Sequence, residues 1–176
     1  MRADTGARRR LQISVAGGGA CDRRTAELAR AVGREIAAAG AVLVCGGLGG
    51  VMQAAARGAA EAGGTVVGLL PGERRADGNR YLSIAIPTGL GHARNVLVVA
   101  AGDAVIALAG EHGTLSEVAL ARVLGRPVVG LGAWASVGGV IAARTPTDAV
   151  RRALAVARRG RRHRRRLSSR RSEPAW

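Results

Sequence analysis

Glu117 stands four residues after the turn Gly110-Glu111-His112-Gly113, between an apolar run, Val105 to Leu108, and a helical pattern, Thr114 to Leu124. A buried strand that ends in a glycine turn and restarts as a helix makes an anion site. The first helical turn has N–H groups without intrahelical partners, and the helix dipole adds partial positive charge there. Gly110 and Gly113 let the backbone approach a phosphate closely. With Thr114 opening the helix, Glu117 falls in its first turn. A fixed carboxylate beside a phosphate cradle suits chemistry on a nucleotide. The same four residues, Thr114-Leu115-Ser116-Glu117, also read as a capping box, which requires no ligand. Arg94 follows Gly91-His92 at the start of a largely apolar helix. There it is either a solvated surface charge or a guanidinium fork for a phosphate. Asn95 beside it either hydrogen-bonds a sugar or phosphate or caps the helix.

Two further glycine turns follow apolar runs. Gly17-Gly18-Gly19 closes Gln12 to Ala16, and Gly46-Gly47-Leu48-Gly49-Gly50 closes Val42 to Cys45. The second is a candidate nest of backbone amides for an anion, and the first a weaker one. Met52 either underlies a bound ring or belongs to the core. His92 and His112 are not spaced as a metal pair, Glu111 reads as a solvated loop acid, and neither a metal nor a resident cofactor is expected.

These residues must be positioned by alternating elements. Helical patterns at 25–39, 51–62, 91–101, 114–124 and 147–158 alternate with strand patterns at 12–16, 42–45, 65–70, 82–86, 105–108, 127–131 and 140–142. Strands that are apolar throughout imply an α/β fold whose parallel sheet is covered on both faces. Each strand then delivers its turn to one edge of the sheet, where ligands bind in such folds. Residues 73–80 form a polar loop over that edge.

The 176 residues make one domain, read as a basic extension (1–10), a body (11–158) and an arginine-rich, disordered tail (159–176). The formal charge of +15 divides unevenly. Residues 158–176 carry nine arginines against Glu173, residues 1–10 carry four against Asp4, and the remainder holds only +4. The tail reads as a solvated extension in preference to a nucleic-acid binder, having no interleaved aromatics to stack on bases. Cys21 and Cys45 lack metal or redox spacing and read as reduced thiols of a cytoplasmic protein. Leu11 to Ala16 is too short for a secretory core, and Val96 to Gly110 is interrupted by Asp103, so neither a leader nor a membrane span is expected.

Nucleotide-binding alternatives fall away on composition. The chain contains no lysine. That excludes a Walker A loop and a pyridoxal-phosphate Schiff base. The dinucleotide fingerprint fails because Asp22 and Met52 occupy the positions of its third glycine.

Three ordered motifs resemble the Lonely Guy superfamily, whose members often bear the label "possible lysine decarboxylase". They are Gly46-Gly47-Leu48-Gly49-Gly50-Val51-Met52, then Thr88-Gly89 with Ala93-Arg94-Asn95, then Gly110-x-x-Gly113-Thr114-Leu115-x-Glu117. The resemblance implies a three-layer Rossmann-like fold, a homodimer, and a phosphorylated nucleotide bound at the C-terminal edge of the sheet. It makes Arg94 and Glu117 the catalytic pair of a phosphoribohydrolase that cuts the N-glycosidic bond of a nucleoside 5′-monophosphate. Gly17, Gly18, Gly46, Gly47, Gly49, Gly50, Met52, Asn95, Gly110, Gly113 and Thr114 would line the site. Two departures stand out. Ala109 and Glu111 replace the proline and second glycine of the family's Pro-Gly-Gly-x-Gly-Thr signature, and Asn95 replaces a lysine. They resemble a branch of small proteins that includes molybdenum cofactor carriers, which hold a phosphorylated pterin without hydrolysing it. Hydrolysis and carriage both stand as readings of the sequence.

Overall fold

The computed structural model describes residues 9–170, with residues 133 and 163–170 described in backbone alone. Residues 1–8 of the basic extension and 171–176 of the tail lie outside the described residues. Seven strands, β1 (Gln12–Ala16), β2 (Val42–Cys45), β3 (Val66–Leu70), β4 (Ile84–Pro87), β5 (Ala104–Ala107), β6 (Val128–Leu131) and β7 (Ile141–Ala143), form one sheet in the order β4-β3-β2-β1-β5-β6-β7. Every neighbouring pair is parallel. The helices are α1 (Arg23–Ala38), α2 (Gly50–Glu61), α3 (Asn95–Ala101), α4 (His112–Val123) and α5 (Pro146–Arg170).

The two-residue period of the strands sorts their side chains between two apolar layers. Ile13, Val15, Leu43, Cys45 and Ile106 pack against α1, α2 and α5. Ala16, Val105 and Ala107 face Val99 of α3 and Val118 and Ala121 of α4, while Val44 meets Val98. This is the parallel sheet covered on both faces that the alternating pattern implies, in the three-layer Rossmann-like form that the resemblance implies. Ser14 is the polar exception among the buried strand residues, and its hydroxyl donates to the Val98 carbonyl at 2.6 Å. The abundance of small residues has a packing reason as well. A Cβ at Gly33 would lie 1.9 Å from the Ala55 carbonyl oxygen, and one at Gly58 the same distance from that of Arg30. Helices α1 and α2 therefore meet backbone to backbone, which larger side chains would prevent.

The chain runs outward from β1 to β4 and then returns to the other side of β1 as β5. Order reverses between β1 and β5, so a crevice opens above their C-terminal ends. The loops after β1 and β5 are joined there, Gly18 N–H donating to Ala109 O at 3.0 Å.

Several boundaries differ from the sequence reading. Helix α4 begins at His112 rather than Thr114, with Glu111 as its N-cap residue. Glu117 is thus in the second turn and the expected capping box does not form. The backbone after Gly110 is already helical by His112, and this places Thr114 inside the helix. Helix α5 starts at Pro146 rather than Thr147, with Thr145 Oγ1 accepting from Asp148 N–H. The same helix continues to Arg170, covering residues 159–170 that were expected to be disordered. Arginine is a good helix former, and Arg161 is anchored by hydrogen bonds to Asp103 and to the Arg10 carbonyl.

Candidate functional site

Helices that open onto the crevice differ in their caps. At α1, Asp22 accepts from Thr25 N–H at 2.7 Å, so that N-terminus is already served by a side chain. Neither α2 nor α4 has a side-chain cap hydrogen bond. At α2 the Val51 N–H donates to Gly18 O at 3.0 Å, so one first-turn amide is held by the neighbouring turn. No side chain caps the other first-turn amides of α2 or those of α4, and both N-termini carry the positive end of the helix dipole. Gly113, in the first turn of α4, has no atom within 4 Å of the place a Cβ would take.

The glycines bring the loops together. A Cβ on Gly110 would fall 2.1 Å from Thr114 Oγ1, and one on Gly50, whose φ is +60°, 2.3 Å from Gly18 O. Gly17 abuts Val51, and Gly49 lies against the Gly19 carbonyl. Gly46 is the most telling. The Arg94 guanidinium occupies the space of its missing side chain, with Nη2 2.3 Å from the Cβ position. Any other residue at 46 would expel Arg94 from the crevice floor.

Arg94 and Glu117 are both buried, at 7% and 6% exposure, and their Nη1 and Oε1 atoms are 4.0 Å apart. That separation allows attraction without a hydrogen bond. Arg94 donates through Nη1 to Asn95 Oδ1 (2.6 Å) and through Nη2 to Gly46 O (3.4 Å), while its buried Nε has no partner. Burial pushes the Glu117 carboxyl up to about 7, an effect the Arg94 guanidinium opposes. Burial lowers the pKa of Arg94, and Glu117 pulls it back up. Cys45, at the end of β2, is fully buried near this pair, and desolvation raises its thiol to about 11. It is therefore a neutral thiol at physiological pH.

The sequence candidates divide on inspection. The structure brings Arg94, Glu117, Thr114, Gly46 and the turns at 17–18, 47–50 and 110–113 to one crevice. Asn95 reaches it with both ends of its amide engaged. Its Oδ1 accepts from Arg94, and its Nδ2–H donates to Ser116 Oγ at 3.1 Å. Ser116 in turn donates to Gly113 O at 2.7 Å. Met52 is part of the core between α2 and the sheet. His92, His112 and Glu111 are exposed, and among the described residues no group of three or more His, Cys, Asp or Glu could hold a metal ion.

Sequence reasoning missed Asn79 and Ser116. The Asn79 side chain donates to both Gly47 O (3.1 Å) and Leu48 O (3.0 Å), its backbone N–H donates to Gly47 O, and its Oδ1 accepts from Tyr81 N–H. It fastens the β3–β4 loop to the Gly46–Gly50 turn. A lone Asn in a polar loop gives no local sign of a partner thirty residues away.

Comparison with known proteins bears on the family and the fold. The model of the SLOG cluster4 family matches residues 10–158. An uncharacterized protein of Archaeoglobus fulgidus is 45% identical over 141 residues, which are 80% of this chain and 92% of that protein. The molybdenum cofactor binding protein of Rippkaea orientalis superposes with a TM-score of 0.80 at 35% identity, covering 85% of this chain and 99% of that one. The molybdenum cofactor carrier protein of Chlamydomonas reinhardtii gives 0.76 at 32% identity, covering 84% and 98%.

Proposed function

We propose, from the premise that this chain belongs to the SLOG cluster4 family, that it is a carrier that holds a phosphorylated pterin such as the molybdenum cofactor in the β1/β5 crevice. One observation carries the reading. Two uncapped helix N-termini open beside a buried guanidinium whose Nε–H has no partner. Backbone amides and an arginine fork together recognise a phosphate by shape and charge. The molybdenum cofactor, a pterin bearing a phosphate, is what the Rippkaea and Chlamydomonas proteins are named for binding or carrying. Glu117, protonated below about pH 7, does not repel such an anion there.

In this reading the cofactor is cargo, and the chain's residues bind and orient it. Arg94 holds the phosphate, Asn95 and Ser116 fix Arg94 relative to α4, and Asn79 fixes the Gly46–Gly50 turn. The carrier is cytoplasmic and homodimeric in the same proposal, and light scattering of the eluted protein checks the second point.

The test is native mass spectrometry of the full chain purified from a host that makes the cofactor, with molybdenum measured on the same sample. A retained cofactor mass is expected for the wild type and its loss for Arg94→Ala. A ligand-free protein with no affinity for any phosphorylated pterin or nucleotide would overturn the proposal.

A second reading is favoured by one specific feature, the buried Arg94–Glu117 pair with a carboxyl that titrates near neutrality. Such a carboxyl is suited to acid–base work at a glycosidic bond. The protein would then hydrolyse a nucleoside 5′-monophosphate to base and ribose 5-phosphate. Incubation with AMP decides between them. Adenine released by the wild type and not by Glu117→Gln supports hydrolysis, whereas no release leaves carriage as the function.

A further inference from the structure

The two basic ends of the chain meet at the edge of the sheet opposite the crevice. Arg161 of α5 donates through Nη2 to the Arg10 carbonyl (2.8 Å) and through Nη1 to the Arg9 carbonyl. Its Nε–H also bonds Asp103 Oδ1 at 2.9 Å, just before β5. Arg10 then donates to Gly40 O (2.9 Å), Ala41 O (3.4 Å) and Thr65 Oγ1 (2.9 Å), residues that lead into β2 and β3. The entry ends of four central strands are thereby tied to Arg10 and to Arg161 of α5.

This junction concentrates charge. Arg9, Arg10, Arg158, Arg159 and Arg162 are all exposed, and none of them belongs to an ion pair among the described residues. Asp4 and Glu173 are the only acids in residues 1–10 and 158–176, and the two segments hold eleven of the fifteen net positive charges.

We propose that this corner binds the phosphate backbone of duplex DNA without reading its sequence. The helix from Arg158 to Arg170 is about 18 Å long at 1.5 Å per residue, and duplex DNA presents a negative charge about every 1.7 Å along its axis. Arginine forks match phosphate oxygens. The composition disfavours other polyanionic partners. An interfacial helix on a membrane needs an apolar face, and residues 158–171 contain Leu167 as their one large apolar side chain. Single strands are held by stacking on aromatic rings, and residues 1–12 and 146–171 contain no Phe, Tyr or Trp, with His163 as their one aromatic ring. The inference is independent of the crevice, which lies at the other ends of the strands.

The experiment is fluorescence anisotropy of the full-length protein with a labelled mixed-sequence duplex of about 24 base pairs, from 50 to 200 mM NaCl. Five or more phosphate contacts should steepen the slope of log K against log salt beyond about −4 and weaken binding roughly 100- to 1000-fold across that range. Combining Arg158→Gln, Arg159→Gln and Arg162→Gln should flatten the slope by about 2 to 3, and Arg9→Gln alone by about 1. Arg94→Ala should leave DNA binding unchanged. Circular dichroism checks that the variants remain folded. The proposal is overturned by absence of saturable binding at 50 mM salt, by a slope that the triple variant does not alter, or by stronger binding to phosphatidylserine–phosphatidylcholine vesicles than to the duplex.

Discussion

The two edges of the sheet use arginine in opposite ways. Within the crevice at the exit edge one guanidinium, Arg94, is removed from water, with Gly46 and Asn95 as hydrogen-bond partners and Glu117 at 4.0 Å, while Arg74, Arg75 and Arg80 of the β3–β4 loop stay exposed outside it. At the entry edge exposed arginines gather around Arg161. A charge in a water-poor site interacts strongly and is screened little, whereas exposed charges fade over a Debye length of about 8 Å at physiological salt. The net charge of the chain therefore describes the entry edge and says almost nothing about the crevice.

The largest effect that would break this contrast comes from Arg94→Gln. It leaves Glu117 buried without its counter-charge, at a cost of about 3 kcal/mol in stability when Glu117 is ionised. Urea denaturation should register this loss at pH 8 and much less of it at pH 6, where Glu117 takes a proton. Equal losses at both pH values would mean that Arg94 matters as packing and not as charge.

Glu117→Gln sharpens the comparison through pH. The folded-state pKa of Glu117 is raised from 4.5 to about 7, so the native protein binds a proton that the unfolded chain has released. Its contribution is fully present below pH 4.5 and is lost as pH rises through 7, for an effect on the order of 2–3 kcal/mol. Stability measured from pH 5 to 8 should fall in the wild type by this much more than in Glu117→Gln. Parallel curves would show that the carboxyl titrates normally.

Asn79→Ala has the smallest expected effect. It removes two side-chain donors to the Gly47 and Leu48 carbonyls and one acceptor for Tyr81 N–H. A loss of about 1–2 kcal/mol is expected in thermal unfolding. Binding of a phosphorylated ligand should weaken several-fold as the Gly46–Gly50 turn loosens, with no change in binding to DNA. Unaltered ligand affinity would separate Asn79 from the site.

The strand–turn–helix order was readable because each local signal agreed with the next. Val42 to Cys45 is apolar without alternation, as a strand buried on both faces must be, and the glycines after it end the run. Arg94 and Glu117 were identified through motif order, since nothing in their immediate neighbours tells a buried arginine from a solvated one. The start of α4 was misplaced by two residues because His112 and Gly113 have weak helical propensity. Their helical state comes from the loop contacts around Gly110 and Gly18, which are distant in sequence.

Local composition and period determined the α/β class, the placement of the glycine turns, and the exclusion of lysine-dependent chemistry, because backbone preference and burial act over a few residues. Tertiary structure alone decided that Arg94 fills the space beside Gly46, that Asn79 ties two loops together, and that the basic ends of the chain meet at Arg161. Each of these pairs residues some thirty to one hundred and fifty positions apart. Contacts of that separation leave no periodic trace in the chain; they exist only once the sheet has brought its strand ends into line.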